Sequence, residues 1–229
     1  YKRQAAGHPD GEDAWKKWWQ VSDTGESPKH IYFMGKDNIP FHTIIWPAII
    51  MGLNASKSSE VSHLAGPGDL VLEDNVSANE YLMLQGGQFS KSRKHAVWLP
   101  SYLEQYDADS LRYYLSINMP ETHDTDFRWD EYVDRVNNEL IGTYGNFVHR
   151  VMTLAHRLEC GEGNPLSKYD RFSDHSKILK EVDNQISSAI ESMEKQRFKE
   201  ALRSIMGIAQ IGNSLLQEAA PWKLSLIHI

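Results

Sequence analysis

From Trp129 onward the apolar residues recur three and four positions apart: Val133, Val136, Leu140, Tyr144, Phe147, Val151 and Leu154. That spacing lies on one face of a long α-helix; strand side chains alternate with period two and cannot follow it. A stretch rich in Gly, Asn and Pro, from Cys160 to Pro165, breaks the pattern. Two more helices are expected, over about 173–195 and 197–219. Amphipathic helices must bury their apolar faces on one another, so this half reads as an all-α bundle.

The first half has a different texture. "EDAWKKWWQ" (12–20) reads as a short helix, and the apolar, aromatic "HIYFM" (30–34) as a buried strand. Gly35 to Asn38 is a turn. Asp37 or Asn38 can cap the helix that follows, "IPFHTIIWPAIIMGL", which should end near Gly52 and kink at Pro47. Gly and Pro punctuate a polar loop over 54–69. "LVLED" (70–74) and "EYLML" (80–84) are short strand candidates, with "QGGQ" as the turn after the second. Strand, helix, strand is an α/β pattern. The expected fold class is therefore α/β followed by all-α, with a connector between them.

Composition narrows what such a chain does. A formal net charge of −7 excludes a protein that coats nucleic acid by bulk electrostatics. It leaves open the reading of one folded RNA through a local patch. The lone cysteine, Cys160, excludes an internal disulfide and a Cys-based zinc site in this segment. No apolar run reaches the ~18 residues of a membrane span.

The densest chemistry lies in "LQGGQFSKSRKH" (84–95). A Walker A loop needs glycine directly before its lysine, and here Ser90 precedes Lys91. The stretch still has the parts of a phosphate site: glycines for a sharp turn, amides able to form an anion nest, and Lys91 as a mobile positive charge. Taken alone, a Ser-Lys-Ser-Arg tract is more often a solvated loop. Asp37, alone, is more simply a helix cap. His42 and Trp46, four apart on one helix face, are more often core packing. Asn146 is more often a helix-surface residue, and Trp222 a core anchor.

The order of several stretches changes that balance. "YFMGKDNIPFHTIIWPAIIMG" (32–52), "FSKSR" (89–93), "YDADSLRYYL" (106–115), "VNNELIGTYGNFVHR" (136–150) and "EAAPW" (218–222) together resemble the methionyl family of class I aminoacyl-tRNA synthetases. The resemblance covers essentially residues 1–223, and "FSKSR" and "GNFVHR" lean towards its archaeal and eukaryotic branch. It implies the C-terminal half of a Rossmann-like catalytic domain over 1–98, a connector over 99–128 and a helical anticodon-binding domain over 129–223. "QFSKS" is similar to the family's K-M-S-K-S loop, with Gln88 where the first lysine stands.

The resemblance also implies roles. Gly35, Asp37, Ser90, Lys91 and Ser92 would bind ATP, with Lys91 also stabilising the transition state of adenylate formation. His42 and Trp46 would line the methionine pocket, His42 more directly. Asn146, Arg150 and Trp222 would read the anticodon of tRNA(Met). The implied substrates are methionine, ATP with Mg2+, and tRNA, in the cytoplasm and away from membranes. The family's H-I-G-H motif and zinc-binding insertion would lie upstream, so no metal site is expected here and this fragment alone is expected to be inactive. The helical segment 131–222 has 13 acids against 11 bases, so RNA binding rests on particular side chains, not on bulk charge. Leu224 to Ile229, "LSLIHI", reads like a translated sequencing adapter and is expected to be foreign sequence. Two other readings stay open: another class I synthetase, and a catalytically dead tRNA-binding paralogue.

Overall fold

The structure is a computed structural model that describes residues 13–56, 66–159 and 176–220. Cys160 to Pro165, Trp222 and the tail 224–229 lie outside the described residues. The fold is mixed α/β with a large helical share, and the chain divides into two compact units, Tyr1–Glu80 and Tyr81–Ile229.

In the first unit the helix expected over 12–20 is one turn, α1 (Lys16–Trp19). It stops because the chain turns to pair: Gln20 bridges Leu70, the Val21 amide donates to Asp69 O, and the Val71 amide to Trp19 O. The strand β1 (Ile31–Gly35) runs parallel to β2 (Asn75–Asn79), with Ile31 opposite Asn75 and Gly35 opposite Asn79. The strand expected at 70–74 is therefore displaced by five residues. Asp74 explains the offset. Its carboxylate accepts the His30 amide at 2.6 Å and its own amide donates to His30 O at 2.9 Å, so the ladder starts only after this clamp.

Parallel strands need a crossover, and a helix supplies it. Lys36–Asn38 form a 3-10 turn, Phe41–Ile45 a π-helical turn, and α2 (Trp46–Ala55) continues three residues past Gly52. Pro47 accounts for the wide turn before it. Proline has no N–H to donate and its ring crowds the carbonyl four residues back, so the preceding turn loosens and the Trp46 amide reaches back to Phe41 O. Just beyond the two strands, Lys36 and Glu80 form an ion pair.

In the second unit, β3 (Leu82–Leu84) and β4 (Gly87–Gln88) form an antiparallel hairpin. Its two turn residues, Gln85 and Gly86, have φ of 50° and 77°, the type I′ geometry whose twist matches that of the flanking strands. β3 also pairs in parallel with β5 (Thr125–Phe127). Between them lie α3 (Leu99–Leu103) and α4 (Ala108–Ile117). Asp107 caps α4, accepting from the amides of Asp109 and Ser110, while Asp109 pairs with Arg112 at 3.0 Å. The core gathers around Tyr114 and Phe127, whose rings meet edge to face at 5.1 Å. The motif "YDADSLRYYL" is thus largely structural, with Leu111, Tyr113 and Tyr114 buried.

The helical part begins with α5 (Trp129–Arg135), passes through a π-helical segment, Val136–Gly145, and becomes α6 (Asn146–Glu159). Then come α7 (Ser176–Glu194) and α8 (Phe198–Ala219). The single apolar face expected from Val133 to Leu154 is not kept. Val136 and Leu140 pack against the core, but Val133, Tyr144 and Val151 are exposed. Each π turn takes one more residue than an α turn, so the stripe rotates away from the face that period 3.6 projects.

Candidate functional site

Gly35 ends β1, and a side chain placed there would meet nothing within 4 Å. The approach to this strand end is open, at the carboxyl end of a parallel pair where open α/β sheets receive ligands. Asp37 lies inside the 3-10 turn with an exposed side chain. The positions that precede the two helical segments are Gly35 and Pro40, so Asp37 is the N-cap of neither.

Tyr32 organises the neighbouring aromatics. The Trp46 indole N–H donates to Tyr32 Oη at 3.0 Å, and the His42 ring meets the Tyr32 ring edge-on at 5.9 Å. His42 Nδ1 lies 2.9 Å from Asn38 O and donates to it, which leaves Nε2 as the acceptor of the neutral ring. An apolar cavity of about 270 Å³ lies between Trp15, Trp19, Trp46, Ile50 and Leu70. Trp46 lines it and His42 does not. Sequence reasoning missed Tyr32 as a site residue because it stands in a strand whose aromatic run reads as core.

In the second unit the Ser90–Lys91–Ser92 loop is short and tied at its base. Ser90 and His95 exchange backbone hydrogen bonds, both 2.9 Å, and the Lys94 amide donates to Lys91 O. Within the turn, Ser90 Oγ accepts from the Arg93 amide and lies 3.2 Å from Ser92 Oγ. The His95 ring donates through Nε2 to Leu84 O at 2.7 Å, fixing the loop to β3. A side chain at Gly87 would come within 3.1 Å of that same nitrogen. The Gly86 amide donates to the Asp126 carboxylate of β5. Lys91, Ser92, Arg93 and Lys94 are exposed at the tip, and Gln88 is exposed on β4. His95 is the anchor that sequence reasoning missed; it lies eight positions after the second loop glycine and five after its pairing partner Ser90, in a region with no pattern to point to it.

Asn146 opens α6 and Arg150 follows one turn later, so both face α8. There Asn213 Oδ1 accepts from Asn146 Nδ2 at 3.5 Å and from Arg150 Nη1 at 3.3 Å. Arg150 Nη2 also donates to Gln217 Oε1. These side chains line a polar depression of about 530 Å³ with Gly142, Thr143 and Gln210. Trp222, the third residue expected at this place, lies outside the described residues.

Among the described residues, no group of three or more His, Cys, Asp or Glu is arranged to hold a metal, and no helix is long and apolar enough to cross a membrane.

The fold is shared with solved class I synthetase structures. Methionyl-tRNA synthetase from Mycobacterium tuberculosis, bound by methionyl-adenylate, superimposes with a TM-score of 0.69 at 20% identity, over 96% of this chain and 38% of that one. A family model described as "tRNA synthetases class I (M)" matches residues 2–152, and the chain belongs to that family. Methionine–tRNA ligase of Roseiflexus sp. (strain RS-1) is 40% identical over 222 residues, covering 96% of this chain and 34% of the relative. The ligase of Pyrococcus horikoshii is 41% identical over 212 residues, covering 91% and 28%. The chain thus spans about a third of the length of the curated relatives it matches.

Proposed function

We propose that this chain is the part of a methionine–tRNA ligase that carries its phosphate loop, one side of its methionine pocket and its anticodon-reading helices. The observation that carries the reading is the Asn146–Arg150–Asn213 cluster, a preset amide and guanidinium in a polar depression, on the same compact unit as the tied Lys91 loop. Domain roles follow the same reading: catalytic over 1–98, connecting over 99–128, anticodon-binding over 129–223.

In the first step a carboxylate oxygen of methionine attacks the α-phosphorus of ATP, held with Mg2+, and the bond to pyrophosphate breaks. In the second a ribose hydroxyl of the terminal adenosine of tRNA attacks the adenylate carbonyl, and AMP leaves. Gly35 admits the nucleoside at a bare strand end and Asp37 accepts from its ribose hydroxyls. Lys91, with the hydroxyls of Ser90 and Ser92 and the Ser92 amide, meets charge on the departing pyrophosphate. The Trp46 and Tyr32 rings offer faces suited to a thioether, and His42 Nε2 an acceptor beside them. None of this needs a covalent enzyme intermediate, since positioning and fixed charge carry the rate. No step draws on a zinc ion. The reaction belongs to the cytoplasm.

The test is ATP–pyrophosphate exchange by the full-length protein with single amino acids. Exchange dependent on methionine alone supports the reading. Exchange with leucine, isoleucine, valine or cysteine makes it another class I enzyme. No exchange with retained tRNA binding makes it a dead paralogue.

A further inference from the structure

We propose that Asn213 is a positioning residue that sets which way the Asn146 amide and the Arg150 guanidinium face, and so which base edge the pocket accepts; this rests on reading the pocket as the RNA site. All three polar contacts of its amide bear on the orientation. Oδ1 accepts from Asn146 Nδ2 and Arg150 Nη1, and Nδ2 donates at 2.9 Å to the Thr143 carbonyl in the π-helical segment. The amide has one workable orientation. Turned over, it would set its oxygen against the Thr143 oxygen and its NH2 against the Arg150 guanidinium, and even a simultaneous turn of the Asn146 amide would recover only one of the three hydrogen bonds.

The backbone holds Asn213 where this works. Its neighbour Gly212 lets α8 approach the ring of Phe147, the residue after Asn146. Each half of the pocket is therefore next in sequence to one half of a tight helix–helix contact.

The consequence is a choice of hydrogen-bonding polarity. With Nδ2 of Asn146 turned to Asn213, its Oδ1 is the group presented to an incoming base. Arg150 supplies donors only. An acceptor beside donors matches an unpaired base whose edge carries an amino group next to ring and carbonyl acceptors, as cytosine does. Uracil has the same shape with a carbonyl in place of that amino group, which would set oxygen against Asn146 Oδ1. Without Asn213 the Asn146 amide can turn over and present its NH2, so the two pyrimidines should no longer be told apart.

The experiment uses the full-length protein and two anticodon stem-loop RNAs that differ only in cytosine or uracil at the first anticodon position. The readout is the ratio of their dissociation constants, with thermal midpoint and methionine-dependent exchange measured alongside. Asn213→Leu is expected to cut the ratio roughly tenfold, about the worth of one hydrogen bond, with exchange unchanged. Asn213→Ser, too short to reach Arg150, should do the same and decides the matter if the leucine variant does not fold. Asn213→Asp keeps the acceptor. Its added charge weakens both RNAs alike, so the ratio should be retained. An unchanged ratio in the leucine or serine variant, while Arg150→Ala loses binding to both RNAs, overturns the role of Asn213 and leaves the pocket reading intact. Full binding by Arg150→Ala overturns the pocket reading itself.

Discussion

Phe147 occupies the space that a side chain at Gly212 would need: a β-carbon there would lie 2.2 Å from Cε2 of the ring. Helices α6 and α8 therefore meet almost backbone to ring at this level. Substituting Gly212→Ala forces the ring aside and should destabilise the second unit by about 1–3 kcal/mol, the usual cost of overpacking. Gly52 of α2 is the control, because a β-carbon there meets nothing within 4 Å. Gly52→Ala should stabilise the first unit by about 0.5–1 kcal/mol through helix propensity alone. Denaturant unfolding of the 229-residue chain measures both; equal effects of the same sign would contradict the contact.

Alkali should loosen the second unit in a defined window. Burial pushes the Tyr102 hydroxyl up to about 12, with the Ser110 hydrogen bond opposing and Tyr132 reinforcing. Burial also raises Tyr113, reinforced by its bond to Glu139, and burial raises Tyr114. Each native phenol keeps its proton after the unfolded one has lost it at the ordinary value of 10.0. Their contribution to stability is thus whole below that pH and fades as pH rises above it, for Tyr102 between 10.0 and about 12. A tyrosinate absorbance titration alongside circular dichroism should show these phenols ionising with unfolding, and Tyr102→Phe should flatten the decline. Ionisation of all tyrosines near their ordinary value in the folded chain would refute it.

At the loop, Lys91→Ala in the full-length protein should lower methionine-dependent exchange by about a hundredfold or more, the scale of losing one preset group at developing charge. Gln88 stands on β4, outside the tied turn, so the native glutamine should be tolerated. Gln88→Lys should lower the KM for ATP with a small change in kcat. Wild-type exchange by Lys91→Ala would remove that lysine from the mechanism.

Trp222→Ala should weaken tRNA charging far more than exchange, because a stacking surface for an unpaired base is worth ~1–3 kcal/mol and amino-acid activation does not use it. Steady-state charging and exchange on the same preparation separate the two. Equal losses would count against an RNA-reading role.

Much of this was legible in the residues. The all-α second half follows from three-and-four spacing, and the hairpin turn from "QGG". The second strand was misplaced because Leu70–Asp74 is apolar enough to look like a strand, while the real β2, "NVSAN", is chosen by a non-local clamp between His30 and Asp74. Among the site residues, spacing put Asn146 and Arg150 on one helix face. Tyr32, His95 and Asn213 could not be found that way, since each acts on a partner 11 to 70 positions distant, on another element. Sequence periodicity reports neighbours along a helix, not who meets across a gap.

The π-helical segment Val136–Gly145 ties the pocket to how the helix is wound. If one of its wide turns tightened to α geometry at unchanged chain length, everything after it would turn by about 100°. The hydrophobic content would hardly change, yet Asn146 and Arg150 would point away from Asn213. A single-codon deletion in this stretch should instead remove the extra residue of one wide turn and leave the two side chains facing Asn213, so the loosened turn behaves as a phase shifter between the core and the polar depression.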